Sequence, residues 1–185
     1  MKVEACRIPG VLVITPRVFR DDRGLFYESH HAQRYREAGI IGEFVQDNRS
    51  VSEGGVLRGM HYQISAPQGH LVTLTRGRIF DIGLDLRRDS PTFGEWQSFE
   101  LDADPPMQLF WPPGVAHGFC VLSDSAEIWY KCVGYFKPDD EGGVLWNDPD
   151  LAIPWPLNNP VVSPRDTAFP RLKDIPENRF PCVTG

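Results

Sequence analysis

Several side chains that can exchange protons or hold charge lie close together in residues 56–87. This stretch otherwise alternates like β-strands, yet it contains Arg58, His61, Gln63 and His70. An unperturbed imidazole has a pKa of about 6.5, so a histidine can take up a proton near neutral pH, and its nitrogens also bind metals. The stretch therefore predicts acid–base chemistry or metal binding, with ordinary surface histidines as the alternative.

A second histidine motif bears on the choice between these two chemistries. Residues 112–117 read Pro-x-Gly-x-x-His and resemble the second motif of cupin barrels. Metal-binding cupins carry His-x-His on an earlier strand, whereas this chain has one histidine there, His61. A stable metal site needs three or four ligands, and the spacing of His61, His70 and His117 does not require them to converge. We therefore expect a cupin-like barrel without a metal.

Short β-strands are predicted to position these residues. The chain has 17 Pro and 17 Gly, and its apolar residues recur mostly with period two, most clearly in residues 80–86. About eight to ten such strands indicate a sandwich or barrel. The best helix candidate covers residues 32–38 and ends at Gly39. Arg76 and Gly77 predict a tight hairpin between two neighbouring strands.

Size and composition limit the class of protein. The 185 residues suit a single domain, 1–185, with the Pro- and Asn-rich segment from about residue 146 wrapping the barrel. The net charge of −6 predicts no nucleic-acid or membrane partner. The four cysteines form no Cys-x-x-Cys pair, so neither a zinc site nor a disulfide framework is expected. The first ten residues lack the apolar core of a secretion signal, and we expect a cytoplasmic protein.

Eight motifs, in order along the chain, resemble one family. The ordered set is similar to the dTDP-4-dehydrorhamnose 3,5-epimerase family from Ile8 to about Leu172, and such a set is not expected by chance. The resemblance implies a mainly all-β, cupin-type jelly-roll barrel with a few short helices. The motifs are DRGLFYE, QDNRS, GVLRGMHYQ, SPTFGEW, PPGVAHGF, EIWYKC, WNDPDLAIPWP and SPRD.

The chemistry of that family explains the residue types. The implied substrate is a nucleotide-linked 6-deoxy hexose of the dTDP-4-dehydro-6-deoxyglucose type, in which the 4-keto group acidifies the protons at C3 and C5. Inversion needs a base on one face, a proton donor on the other and a group that holds the enolate oxygen. This reaction implies no cofactor and no metal.

The resemblance assigns the acid–base roles to three residues. His61 matches the family's base, and Asp166 matches the carboxylate that fixes the tautomer of that histidine. Tyr130 matches the tyrosine that returns a proton from the opposite face; a phenol with a pKa near 10 stays protonated at pH 7. Arg58 is expected to hold charge near the keto oxygen. Without the resemblance, the histidine, tyrosine and aspartate would pass as ordinary strand, core and loop residues.

The resemblance also implies a nucleotide and sugar site and a homodimer. Part of the site is expected to cross the dimer interface, and the N-terminal strands are expected to be exchanged between subunits. His117 is expected to have a structural or pocket-wall role rather than to transfer protons. The predicted substrate-binding residues are Arg23, Phe26, Glu28, Gln46, Asn48, Arg58, Gln63, His70, His117 and Phe136.

The chain departs from the family pattern at two of these positions. The family commonly has a lysine where this chain has His70, and often a Tyr-Tyr pair where it has Tyr135-Phe136. A protonated His70 would stabilise an enolate and make activity depend on pH, or the change accommodates another sugar. The lost hydroxyl at Phe136 alters recognition more than packing.

Several alternatives remain open on the sequence. Inversion at C3 alone, at C5 alone or at both is consistent with it, as is a dTDP, GDP, CDP or UDP carrier. A metal-dependent cupin oxygenase or isomerase and a non-catalytic sugar-nucleotide binding protein are the two other classes.

The spacing of Arg58 and His61 sets a geometric condition. An odd separation places them on opposite faces of a regular strand. Both can reach one pocket only if the strand is irregular between them, and Gly59 permits this. We therefore predict a local irregularity at that glycine.

Overall fold

The apolar alternation of the sequence appears as two antiparallel sheets packed face to face in a computed structural model, which describes residues 1–183. Two short helices and three 3₁₀ turns complete the described part. The strands are β1 (Lys2–Ala5), β2 (Leu12–Thr15), β3 (Val18–Asp21), β4 (Gly24–Tyr27), β5 (Phe44–Glu53), β6 (Val56–Gln63), β7 (Gly69–Arg76), β8 (Arg78–Asp85), β9 (Trp96–Asp102), β10 (Gln108–Trp111), β11 (Val115–Val121), β12 (Ser125–Val133), β13 (Glu141–Gly143) and β14 (Val161–Val162); the helices are α1 (Ala32–Glu37) and α2 (Pro164–Thr167), and the 3₁₀ turns are Pro138–Asp140, Leu172–Asp174 and Glu177–Arg179.

The strand order is that of a jelly roll. The first sheet runs β1-β2-β10-β7-β12-β5, and the second runs β13-β6-β11-β8-β9 with β14 parallel to β6. Strands β3 and β4 form a separate hairpin. This architecture confirms the predicted all-β, cupin-type jelly roll.

The main core lies between the two sheets. Trp111 and Leu109 from the first sheet pack with Ile79 and Val121 from the second, and all four are buried. Burial of such side chains stabilises by about 1.5–3 kcal/mol each. Val115, Phe119 and Ile128 of this core also line the cavity described below.

The segment from Trp146 packs against the outer face of the second sheet. Trp155 stacks edge-on against Phe80 with ring centroids 5.7 Å apart, and its indole nitrogen donates to the Trp146 carbonyl. The indole of Trp96 donates to the carbonyl of Leu151. These contacts lead the chain back to β6, where β14 and α2 lie.

Two local predictions have opposite outcomes. Helix α1, Ala32–Glu37, confirms the predicted helix, and Gly39 follows it with φ +93°. The predicted hairpin at Arg76 and Gly77 is wrong, because β7 and β8 belong to different sheets. A strand that switches sheets shows the same alternation as one that turns back on its neighbour.

None of the helices in residues 1–183 is long and apolar enough to cross a lipid bilayer.

Candidate active site

A polar cavity of about 480 Å³ opens between the two sheets. Strands β5, β7 and β12 supply one wall and β6 and β11 the other. The cavity brings together nine of the predicted site residues: Gln46, Asn48, Arg58, His61, Gln63, His70, His117, Tyr130 and Phe136.

His61 is paired with a buried carboxylate from the C-terminal segment. Its Nε2 lies 2.9 Å from Oδ1 of Asp166, and Oδ2 of Asp166 accepts the Gly59 N–H at 3.1 Å. Ser163 caps α2 by accepting the Asp166 N–H, which fixes the carboxylate at the helix start. Burial raises the pKa of Asp166, but the hydrogen bond and charge of His61 and the two further hydrogen bonds outweigh it and leave the pKa below its ordinary value. An ionised carboxylate only accepts hydrogen bonds, so Nε2 carries the proton.

The β6 strand is irregular at Gly59, as predicted. Along the β6–β11 ladder His61 lies opposite His117 and Arg58 opposite Phe119, so the two residues between them on β6, Gly59 and Met60, face the single residue Gly118 of β11. Gly59 has φ +134°. The bulge lets Arg58 and His61 line the same cavity.

Tyr130 faces the cavity from the opposite sheet. It lies on β12 across from Asn48 of β5, and its ring contacts that of His70 with centroids 5.4 Å apart. Burial, followed by the neighbouring Cys132, raises the pKa of the Tyr130 hydroxyl. The phenol therefore keeps its proton at neutral pH.

His117 is held by an aspartate that the sequence did not single out. Its Nε2 lies 2.9 Å from Oδ2 of Asp81, and Oδ1 of Asp81 accepts the Trp111 indole N–H at 2.7 Å. Asp81 is fully buried. In the alternating sequence of β8, Asp81 falls on the face opposite Phe80 and Ile82, so the sequence did not indicate that it is buried.

The surroundings of His70 favour its neutral form. Burial, with repulsion from His117 and then His61, lowers the pKa of His70 to about 3. These surroundings favour a neutral ring, and the stabilisation of an enolate by a protonated His70 stays a prediction. The ring can still offer a neutral N–H to the cavity.

Three predicted substrate-binding residues lie outside this cavity. Arg23 and Phe26 are on the β3–β4 hairpin; the arginine is ion-paired with Asp21, and the phenylalanine is 68% exposed. Glu28 follows the hairpin and is ion-paired with Arg34. This single chain does not bring these residues to the base.

Sequence reasoning missed several cavity residues. Arg165 donates to Glu141 at 2.5 Å and to Asp166 at 3.3 Å, and both Arg165 and Glu141 line the cavity. The position of Arg165 next to Asp166 was a usable signal. Glu141 and Gln68 became recognisable only once the strands were placed. Within residues 1–183, no three His, Cys, Asp or Glu side chains group as metal ligands.

The fold and the cavity together define a class of protein. A cupin-type jelly roll presents a carboxylate-bound histidine from one sheet and a protonated tyrosine from the other, which are groups suited to proton transfer. The profile of the family described as dTDP-4-dehydrorhamnose 3,5-epimerase matches residues 5–174. The chain belongs to this family of isomerases.

Individual relatives agree with this assignment. A dTDP-4-dehydrorhamnose 3,5-epimerase from Pseudomonas aeruginosa is 49% identical over 168 residues, covering 90% of this chain and 93% of the relative. A dTDP-4-dehydrorhamnose 3-epimerase from Streptomyces niveus is 42% identical, covering 90% and 81%. The crystal structure of a 3,5-epimerase from Legionella pneumophila in complex with dTDP-4-keto-L-rhamnose superposes with a TM-score of 0.95 at 42% identity, covering 100% of this chain and 99% of that one.

Proposed function

We propose that the protein inverts C3 and C5 next to the 4-keto group of a nucleotide-linked 6-deoxy hexose of the dTDP-4-dehydro-6-deoxyglucose type. The observation that carries this proposal is the placement of the His61–Asp166 pair and of Tyr130 on opposite sheets around one cavity. Membership of the epimerase family and the dTDP-sugar bound by the Legionella relative support the substrate class.

His61 acts as the base in this proposal. Since Asp166 accepts from Nε2, the lone pair on Nδ1 is free to take the α-proton. The ionised carboxylate then stabilises the imidazolium that forms. Abstraction leaves an enolate whose charge is on the oxygen at C4.

Tyr130 returns a proton from the other face. Inversion requires that the new C–H bond form opposite the one that broke, and the two residues belong to opposite sheets. The raised pKa keeps Tyr130 protonated until the enolate carbon accepts its proton. His61 and Tyr130 are then restored by opposite proton transfers with solvent.

Arginine side chains supply positive charge inside the cavity, although the chain as a whole is negatively charged. Arg58 is held by a hydrogen bond from its Nε to Ser52 and stabilises the enolate oxygen. The neutral His70 contributes a hydrogen bond in place of a charge. Arg165 is half-exposed at the cavity and is suited to the diphosphate.

A homodimer would complete the site. The β3–β4 hairpin carries exposed apolar side chains, Phe19 and Phe26, beside Arg23. The unpaired edge of β5 in the first sheet is available for strand pairing, and β5 carries Gln46 and Asn48. We propose that the hairpin of one subunit packs at the other subunit's cavity and contributes to nucleotide binding.

The cytoplasm is the proposed location. Cys6, Cys120, Cys132 and Cys182 are all free thiols, and Cys182 is exposed. Free thiols persist in a reducing compartment, which supports this assignment.

Deuterium exchange tests the reaction. The protein is incubated in D₂O with dTDP-, GDP-, CDP- and UDP-linked 4-keto-6-deoxy hexoses, and deuterium at C3 and C5 is followed by NMR. We expect incorporation at both carbons of the dTDP sugar. His61→Asn should abolish it, whereas Tyr130→Phe should retain part of the exchange and slow net inversion by about 10²- to 10⁴-fold, because abstraction precedes the second proton transfer.

Each other outcome has a defined meaning. Deuterium at C3 alone would indicate the narrower reaction named for the Streptomyces niveus relative. Binding of the sugar nucleotides without any exchange would indicate a non-catalytic binding protein. Persistent exchange in His61→Asn would show that another group is the base.

A further inference from the structure

The segment from residue 134 to 137, called the strap, lies at the edge of the cavity. It follows a register shift at the end of β12, between Cys132 and Val133. Tyr135 is 66% exposed and Phe136 is 43% exposed, yet Phe136 also lines the cavity. Phe136 therefore lies between the interior of the cavity and solvent.

Glutamine side chains tie the strap backbone to the sheets. Gln63 makes two bonds to Lys137: its Nε2 donates to the carbonyl at 2.6 Å and its Oε1 accepts the N–H at 3.1 Å. Gln46 accepts the Phe136 N–H at 3.1 Å. Gln68 donates to the Gly134 carbonyl at 2.8 Å.

The three glutamines belong to both walls of the cavity, so they connect the strap to the residues around the substrate site. Gln63 lies two residues from His61 on the same strand, and Gln46 and Gln68 belong to the opposite wall of the cavity. Gln63 is nearly fully buried, and both of its amide atoms are engaged by Lys137. Its amide thus holds the strap through both of its polar atoms.

The hydrogen bonds from the glutamines to the strap can break without breaking the backbone hydrogen bonds that pair the strands. Each neutral hydrogen bond changes an equilibrium only about two- to tenfold. At the start of the strap Gly134 has φ +82° and open space around it, so the backbone can pivot there. At the far end Asp140 is anchored by hydrogen bonds from Ser65 and Ala66.

We propose that the strap is a cover for the substrate, and that Gln46, Gln63 and Gln68 are positioning residues that hold Phe136 over the bound sugar. This inference rests on the proposed epimerase site and deepens it. The ties are neutral amides, so the cover closes independently of pH. The ring of Phe136 contributes to binding in both the ground state and the transition state, and therefore affects KM more than kcat.

Amide hydrogen exchange of the substrate-free protein tests whether the strap moves as a unit. Gln63→Leu removes the bonds to Lys137 but leaves the bond from Gln46 to the Phe136 N–H intact. Although that bond is retained, we expect hydrogen exchange of the Phe136 amide, measured by NMR, to accelerate about tenfold. The reason is that loss of the two Gln63–Lys137 bonds opens the whole strap. The reciprocal variant Gln46→Leu should accelerate exchange at Lys137. Unchanged exchange at the distant amide in both variants would overturn the proposal.

Steady-state kinetics with dTDP-4-keto-6-deoxyglucose tests the link to Phe136. Gln63→Leu and Phe136→Ala should each raise KM about tenfold and change kcat less than twofold, and the double variant should be no worse than Phe136→Ala. Effects that multiply in the double variant would refute the link.

Gln108→Leu is the matched control. Gln108 is a buried glutamine with hydrogen bonds to Ser29, Thr73 and Tyr35, away from the cavity. It should lower the melting temperature without changing exchange at Phe136. Because the exchange measurement needs no substrate, failure of the strap and failure of the epimerase reaction are separate results.

Discussion

At the scale of single residues, three imidazoles share one cavity but have different surroundings. His61 is bound to Asp166 and His117 to Asp81, whereas His70 packs against the rings of His117 and Tyr130. Burial without a carboxylate partner favours the neutral ring. His70 therefore offers the cavity a hydrogen-bonding group without a permanent charge.

The depressed pKa of His70 predicts a pH-dependent stability. The unfolded chain binds a proton at this histidine below about pH 6.5, but the folded chain does not until about pH 3. The unfolded state thus binds more protons across this window, and the free energy of unfolding falls as the pH drops through it. In His70→Gln this fall should be less steep, as measured by urea unfolding from pH 7.5 to 4.5 at fixed protein concentration.

The comparison of slopes separates ionisation from packing. A packing defect in His70→Gln shifts the curve by a constant amount at every pH. Parallel curves for the two proteins would mean that His70 is not the group whose protonation opposes folding.

At the scale of elements, the close approach of the neighbouring strands β6 and β11 positions the base, His61. A Cβ on Gly59 would lie 2.5 Å from Cα of Gly118, and a Cβ on Gly118 would lie 3.0 Å from the Arg58 carbonyl oxygen. The two strands thus approach so closely that neither position has room for a side chain. This contact maintains the bulge that brings Arg58 and His61 to the same side.

Gly59→Ala should disrupt this close approach of the two strands. The new methyl would meet backbone that cannot move aside, at a φ that an L residue rarely adopts, so we expect a loss of about 2–4 kcal/mol in the free energy of unfolding. Displacement of His61 by about 1 Å should also reduce deuterium incorporation about 10²-fold.

Gly55→Ala is the control for the backbone angle alone. Gly55 has φ +77° and open space around it. A loss of only about 1–2 kcal/mol is expected there, with exchange unchanged. Equal effects of the two substitutions in urea unfolding would show that the approach to Gly118 does not matter.

At the scale of the whole molecule, the surface has two groups of apolar side chains that a lone chain leaves in water. Trp129 and Val51 are exposed on neighbouring strands β12 and β5, and Phe19 and Phe26 are exposed on the β3–β4 hairpin. Apolar side chains grouped on a surface are typical of an interface. The proposed homodimer would cover these side chains, and it would carry Arg23 to the cavity of the other subunit.

Subunit complementation tests this arrangement. Co-expression of Arg23→Ala and His61→Asn chains gives heterodimers in which one site has both an intact His61 and the partner subunit's Arg23. If the two chains pair at random, activity should recover to about a quarter of the wild-type value, although each variant alone is impaired. Purified heterodimers with no recovered activity would show that Arg23 serves its own subunit or none.

The sequence by itself determined the β class, the order of the motifs and the need for a bulge at Gly59. Strand period decides which residues share a face, and an odd spacing of two cavity residues requires an irregular strand. The family resemblance named His61, Tyr130 and Asp166 together, although Asp166 lies 105 positions from its partner.

Only the tertiary structure decided which faces met and how the groups in the cavity are charged. The alternation in β8 indicated its apolar face, but not that this face packs on the C-terminal segment while Asp81 turns inward to His117. The commitment of Gln63 to the strap and the neutrality of His70 likewise became visible only with the strands in place. Period is a local property of the chain, whereas hydrogen-bond partners and ionisation depend on surroundings assembled from residues far apart in sequence.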